Sequence, residues 1–377
     1  MKNIFTKIIF TFAVLAINIA STKEVNAQGC VAIRSFSGCS AGTGGGAILK
    51  PGESIIGTNF RYFKSFRHFR GNHEEVERVQ NNTEVINDSY FLDLSMTYAF
   101  ADRWYATATL PFVYHERSSM YEHGGNQLGD RHHTYAQGLA DARLGVGYWL
   151  FSQEKHPKHN VALGLGVKLP TGNYRAKGVF HNVGIEGAPD VRYVDQSIQP
   201  GDGGYGITLE MQGYRQLSHT LVLAGNLFYL VNPRETNGVA RSNNATSIMS
   251  VPDQYAARLG LSYISQVRGL DFYMGGRLEG IPVYDLIGGS GGFRRPGYVV
   301  SAEPGISYLH KNFLFNLNVP VSIIRNRTQS VPDKERQKET GQPTHGDAAF
   351  ADYVISAGVS LRFPGKNKHA DMMMMEH

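Results

Sequence analysis

The chain ends in a run of soft metal donors. Met372, Met373, Met374 and Met375 precede His377, with His369 and Asp371 just upstream. Thioether and imidazole groups suit Cu(I), and His156 with His159 adds a second imidazole pair. A methionine-rich terminus also reads as a solvated tail, so copper stands as an alternative. At the other end Cys30 and Cys39, the chain's 2 cysteines, have eight residues between them. In an oxidising compartment they predict a disulfide. It would staple the Gly-rich segment 28–50, placed to plug whatever follows, and a metal bound by both thiols is the lesser reading.

Two enzyme-like signals find no frame. Gly201, Gly203 and Gly206 spell the spacing of a dinucleotide loop, but that loop needs a strand before it and a helix after it. Here it closes a long connection and enters a strand, so the glycines read as turn residues. His123, His132 and His133 lie in loops, and none falls beside a serine on a strand face, as Ser–His hydrolysis requires. No catalytic role and no cofactor are expected.

The elements that must position the remaining polar residues begin after a leader. Lys2 and Lys7, an apolar run from Ile8 to Ile19, and Val25-Asn26-Ala27 predict a cleaved signal peptide over 1–27. No other stretch approaches 18 consecutive apolar residues. Without a spanning helix, only a closed barrel can satisfy its own backbone in lipid. The net charge of +5 and pI near 9.0 come from scattered basic residues, which argues against a nucleic-acid partner.

Period-2 alternation recurs about twelve times, near 52–63, 90–100, 104–117, 138–151, 159–170, 205–217, 221–232, 254–265, 270–285, 298–309, 313–325 and 352–363. In Tyr90–Phe100 one face reads Tyr90, Leu92, Leu94, Met96, Tyr98 and Phe100; the other reads Phe91, Asp93, Ser95, Thr97 and Ala99. The connections alternate strictly between long (64–89, 118–137, 171–204, 233–253, 286–297, 326–351) and short. That order is the signature of an outer-membrane barrel, with short periplasmic turns and long extracellular loops. The fold expected is all-β: a closed antiparallel transmembrane barrel over 51–363, followed by a Met/His-rich tail over 364–377. Aromatic residues at strand ends, among them Phe100, Trp104, Tyr148, Trp149, Phe228, Tyr229, Tyr263, Tyr308, Phe313 and Phe363, predict interfacial girdles.

Parity places Arg61, Asp93, Asp141, Arg143, Lys168, Glu210, Arg258, Arg277, Glu279, Glu303 and Arg362 toward the lumen. The two signs occur in similar numbers, as needed where buried charges must pair; they predict a filled interior, a polar path, or both. Pro111, Pro170, Pro282 and Pro320 each follow an aliphatic residue in a strand running toward the long loops. A proline removes a ladder donor. The four either mark where strands leave the bilayer or create bulges that open the wall sideways to an apolar solute.

Gly138-Leu139-Ala140-Asp141 leading into Gly145-Val146-Gly147-Tyr148, then Lys168-Leu169-Pro170-Thr171-Gly172, and finally Gln199-Pro200-Gly201-Asp202-Gly203 resemble the outer-membrane meta-pathway phenol-degradation (MetA-type) family, related in concept to FadL-type channels. The resemblance spans roughly 138–320. It implies an outer-membrane channel for small, often aromatic or hydrophobic compounds. The reading is therefore a transporter barrel of a Gram-negative outer membrane, with a small-molecule solute, membrane lipid, lipopolysaccharide and the barrel-assembly machinery as partners. A non-transporting adhesion barrel and a copper-related barrel are the alternatives.

Overall fold

The computed structural model describes residues 48–124, 130–241 and 244–365. The signal peptide, Cys30 and Cys39, and the Met372–Met375 and His377 donors lie outside the described residues.

Sixteen strands form one antiparallel sheet closed on itself. Three wall positions are built from two pieces each, and His73–Glu74 only extends the rim, so the wall has twelve strands. In chain order they are Ser54–Arg70, Ile86–Ala99, Trp104–Ser119, His132–Leu139 with Arg143–Trp149, His159–Lys168 and Gly206–Gln216. The remainder are Leu221–Val231, Gln254–Ile264, Leu270–Ile281, Gly297–His310, Phe313–Asn318 with Val321–Asn326, and Ala348–Ala351 with Ile355–Phe363. The first strand pairs with the twelfth from Ser54↔Phe363 to Tyr62↔Ile355, closing the ring.

Alternation puts Leu92, Leu94, Met96, Leu110, Phe112, Leu163, Leu165, Leu259 and Phe315 on the outer face, all exposed. An apolar surface of this extent has no place in water, and the barrel is an outer-membrane one. Phe100, Trp104 and Tyr148 form one aromatic row, with neighbouring rings 6.3 and 4.7 Å apart. Tyr62, Tyr90, Tyr114 and Tyr135 form the other, at 4.8, 5.9 and 6.4 Å. Ten residues of one strand separate Trp104 from Tyr114. At about 3.3 Å per residue and a tilt of about 40°, the belt between the rows is about 25 Å tall.

Several boundaries differ from the sequence reading. The fifth strand stops at Lys168 and the ninth at Ile281, short of the expected 170 and 285, since Pro170 and Pro282 offer no donor. Pro111 and Pro320 instead lie within the wall. Pro111 accepts the Ala140 N–H through its carbonyl, so its missing donor faces the fourth strand. There, three residues (140–142) oppose two (110–111) and form a bulge. Pro320 interrupts the eleventh strand and accepts the Val354 N–H. Two members of the expected girdle face inward: Trp149 and Phe228 are 7% and 4% exposed and lie on the lumen parity. The first strand runs seven residues beyond its expected end, because its upper part pairs with His73–Glu74 and Ala348–Ala351 above the membrane.

The wall is uneven. The first and third strands have 17 and 16 residues, whereas the fifth, sixth and seventh have 10, 11 and 11. On the low side the loops complete the rim. The 169–205 loop carries a hairpin, Lys177–Phe180 with Asp190–Tyr193, and the 232–253 loop carries another, Thr236–Arg241 with Asn244–Ser250. The first of these loops folds inward, burying Val194 and Ile198 against Ala136 of the fourth strand. The 327–347 loop holds a helix, Val331–Thr340, fixed by a capping box in which Ser330 and Asp333 exchange hydrogen bonds.

Candidate functional site: lumen, wall junction and outer vestibule

The lumen is layered. At the short-turn mouth Ile48 packs on Trp149 and Ala162, with Tyr105 and Tyr214 beside them. Arg362 points inward there, donating to Glu53 at 2.5 Å and to the Ile48 carbonyl at 3.4 Å. Midway, Arg61 pairs with Asp93 at 3.2 Å, Arg258 with Glu303 at 2.8 Å, and Arg277 with Glu279 at 2.6 Å and Glu303 at 3.8 Å. These six side chains are nearly dry, and such charges persist only when paired. Glu210 also faces inward but is exposed to lumen space. Arg143 stacks over the Phe228 ring at 5.2 Å. Above this layer Phe63, Phe91, Val113, Ala140, Ala351 and Val354 form an apolar cluster.

Asp141 and Lys168 belong to a different structure, a junction in the wall. The bulge at 140–142 turns the Asp141 carboxylate toward the 169–205 loop. One oxygen accepts the Gly172 N–H and the other the Asp202 N–H, each at 3.0 Å. Lys168 pairs with Asp202 and lies 4.0 Å from Asp141. Thr171 Oγ1 donates to the Ala140 carbonyl at 2.7 Å and accepts the Ala142 N–H at 2.8 Å. Where loop start meets loop end, backbone touches backbone: a Cβ on Gly172 would lie 2.7 Å from Gly201 Cα, and one on Gly201 2.5 Å from the Gly172 carbonyl oxygen. The three short motifs singled out in the sequence thus converge at one carboxylate. A cavity of about 30 Å3 lies beside Asp141, Arg143 and Phe228. A recess of about 450 Å3 lies beside Pro170, Tyr174 and Tyr205, the last on the outward parity of Ile207 and Leu209.

A space of about 890 Å3 lies in the outer mouth among the loops. Arginines dominate its lining, and most are locked to acids. Arg117 pairs with Glu122 at 2.6 Å, Arg294 with Asp285 at 2.6 Å and Arg295 with Asp195 at 2.8 Å. Arg327 reaches Asp333 at 3.3 Å, and Asp347 joins His68 at 2.6 Å and Arg78 at 2.9 Å. Burial opposes the charge on Asp195, but Arg117 and Arg295 outweigh it and hold the carboxyl well below its usual range. Burial brings Arg327 down to about 10. At one side His181 donates its backbone N–H to His123 Nδ1 at 3.1 Å, and the His132 and His181 rings stack at 4.1 Å. Burial, aided by these neighbouring imidazoles, lowers His123 to about 4.

The sequence reading missed this vestibule. Most of its arginines and acids sit in long loops, where charge ordinarily means exposure to water, and only the Arg294-Arg295 doublet was a local signal. Among the described residues no group of three or more His, Cys, Asp or Glu side chains is placed to hold a metal.

No family model matches the sequence, and no curated protein matches it. Solved structures do resemble the fold. An outer membrane channel from Pseudomonas putida F1 shares 11% identity with a TM-score of 0.57, over 87% of this chain and all of the other. The CymD monoaromatic hydrocarbon channel shares 10% identity with a TM-score of 0.41, over 85% of this chain and 90% of its own. A Pseudomonas aeruginosa FadL homologue shares 7% identity with a TM-score of 0.40, over 89% of this chain and 98% of its own. The first of these shares the fold of this chain, a closed antiparallel outer-membrane barrel.

Proposed function

We propose that this barrel is an outer-membrane channel for a small molecule with an apolar or aromatic body. The observation that carries the reading is the loop-walled vestibule of about 890 Å3 over a lumen narrowed by paired charges. A space of that size suits a small organic ligand, and paired charges argue against a wide pore that is always open. The solute collects in the vestibule and leaves sideways at the Asp141 junction, where the fourth strand bulges and the loop seals the wall by main-chain contact. Pro111 keeps a donor out of the bulge; Pro170 and Pro282 end strands so that loops, rather than wall, complete the rim. The remaining inward charges serve as the filled floor of this path. Residues 28–50 act as a periplasmic plug, a reading supported by the packing of Ile48 on Trp149. Lipopolysaccharide and the barrel-assembly machinery are the partners that follow from an outer-membrane location. The P. putida protein is an outer membrane channel, which agrees with this reading.

Liposome swelling with aromatic, sugar and amino-acid solutes tests it. Faster swelling with small aromatic solutes than with sugars of similar size is expected. No swelling with any solute, from protein shown to be folded, would overturn the channel.

A further inference from the structure

The vestibule has a positive charge without an acid. Around Asp195 and Glu122 stand three arginines: Arg117 takes Glu122, Arg295 takes Asp195 in a two-pronged pair at 2.8 and 2.9 Å, and Arg241 takes neither. No described carboxylate lies within 4.0 Å of Arg241. Its guanidinium stacks on the Phe293 ring instead, 3.7 Å from the centroid, and Arg295 covers the same ring at 4.9 Å. A stacked guanidinium spends its face on the ring and keeps its in-plane N–H fork for an acceptor. Arg241 lines the cavity, whose lining also includes the apolar side chains of Ile248, Pro332 and Ala349.

We propose that Arg241, on its Phe293 platform, binds the carboxylate of a small aromatic acid in the outer vestibule. The fork geometry fits two carboxylate oxygens at once. The arginine-covered ring, with the few apolar side chains among the charged lining, suits a flat body better than a bare inorganic anion. Local electrostatics agree with this assignment: burial and the nearby Arg295 both lower the Arg241 pKa, the signature of a cation short of a counter-charge. Arg294 cannot serve, since Asp285 holds both its terminal nitrogens at 2.6 Å. The inference rests on the channel reading for its meaning, as it names the class of solute gathered at the mouth, but the binding itself is measured separately.

The experiment is calorimetric titration of the full-length protein in detergent with benzoate, benzyl alcohol and inorganic phosphate. Benzoate is expected to bind, with benzyl alcohol and phosphate each weaker by about tenfold or more, the scale of one charge-assisted contact. Arg241→Gln should weaken benzoate by a similar factor, and Phe293→Leu should weaken it while leaving phosphate unchanged. The folded state of each variant is checked by its heat-dependent gel shift. No benzoate binding to folded protein, benzyl alcohol binding as tight as benzoate, benzoate binding unaffected by Arg241→Gln, or phosphate binding as tight as benzoate would each overturn the proposal. Benzoate binding that depends on Arg241 without solute flux removes the channel and keeps the site; flux without benzoate binding does the reverse.

Discussion

Trp104 and Trp149, the chain's 2 tryptophans, stand on opposite faces of the same wall: Trp104 is 44% exposed on the outer belt, and Trp149 is 7% exposed against Ile48 inside. They are close along the barrel axis, since Trp104 pairs across strands with Tyr148. Brominated lipids quench only indoles that reach the acyl region. In reconstituted vesicles the Trp149→Phe variant should therefore lose most of its emission to brominated lipid, and the Trp104→Phe variant should lose little. Equal quenching would contradict the assignment of inner and outer faces.

Asp141 should be the most sensitive single position in the wall. Asp141→Ala leaves the N–H groups of Gly172 and Asp202 without their acceptor and brings Lys168 down to one partner. A loss of about 3 kcal/mol is expected, together with proteolytic cleavage of the 169–205 loop under conditions that spare the native protein. Urea unfolding in detergent and limited proteolysis measure the two effects.

The midway ion pairs should tolerate removal of both partners better than removal of one. Asp93→Ala strands Arg61 in a dry lumen and should cost about 3–5 kcal/mol. The double variant Arg61→Leu with Asp93→Leu should recover most of that loss. Truncating both Arg258 and Arg277 removes the side chains that meet at Glu303, and single-channel conductance in planar bilayers should rise.

Acid should loosen the loops through His123. Its folded-state pKa lies near 4, below the ordinary histidine value of 6.5. Between these values the unfolded chain binds more protons than the folded one, so stability falls as pH drops from 6.5 toward 4. Glu122 favours the charged ring; His132, His181 and His133 oppose it. Thermal midpoints of wild type should therefore decline across this window. His123→Phe, which keeps the stack on Phe180 at 5.1 Å, should flatten the decline.

Where one face of a strand meets lipid, the sequence was easy to read. Tyr90 to Phe100 alternates cleanly because Leu92, Leu94 and Met96 have to be apolar and Asp93 does not. The upper part of the first strand lacks that constraint, since above the membrane both faces meet protein or water. Trp149 and Phe228 misled because an aromatic ring at a strand end serves a girdle or a lumen plug equally well. The Val331–Thr340 helix did carry a local signal, with Ser330 and Asp333 at capping-box spacing. The Asp141 junction showed only three short, separate motifs with no local sign that they meet. Its meaning depends on bringing residues 141, 172 and 202 together, and only closure of the wall does that.

The contact between Gly172 and Gly201 sets the thermodynamics of any sideways opening. No side chains interdigitate there, so parting the two backbones would expose little apolar surface. The heat-capacity change of opening would then be small, and its enthalpy would stay nearly constant over the temperatures at which a cell grows. What governs it is the carboxylate of Asp141, which would make this a gate answering to charge more than to the burial of apolar surface.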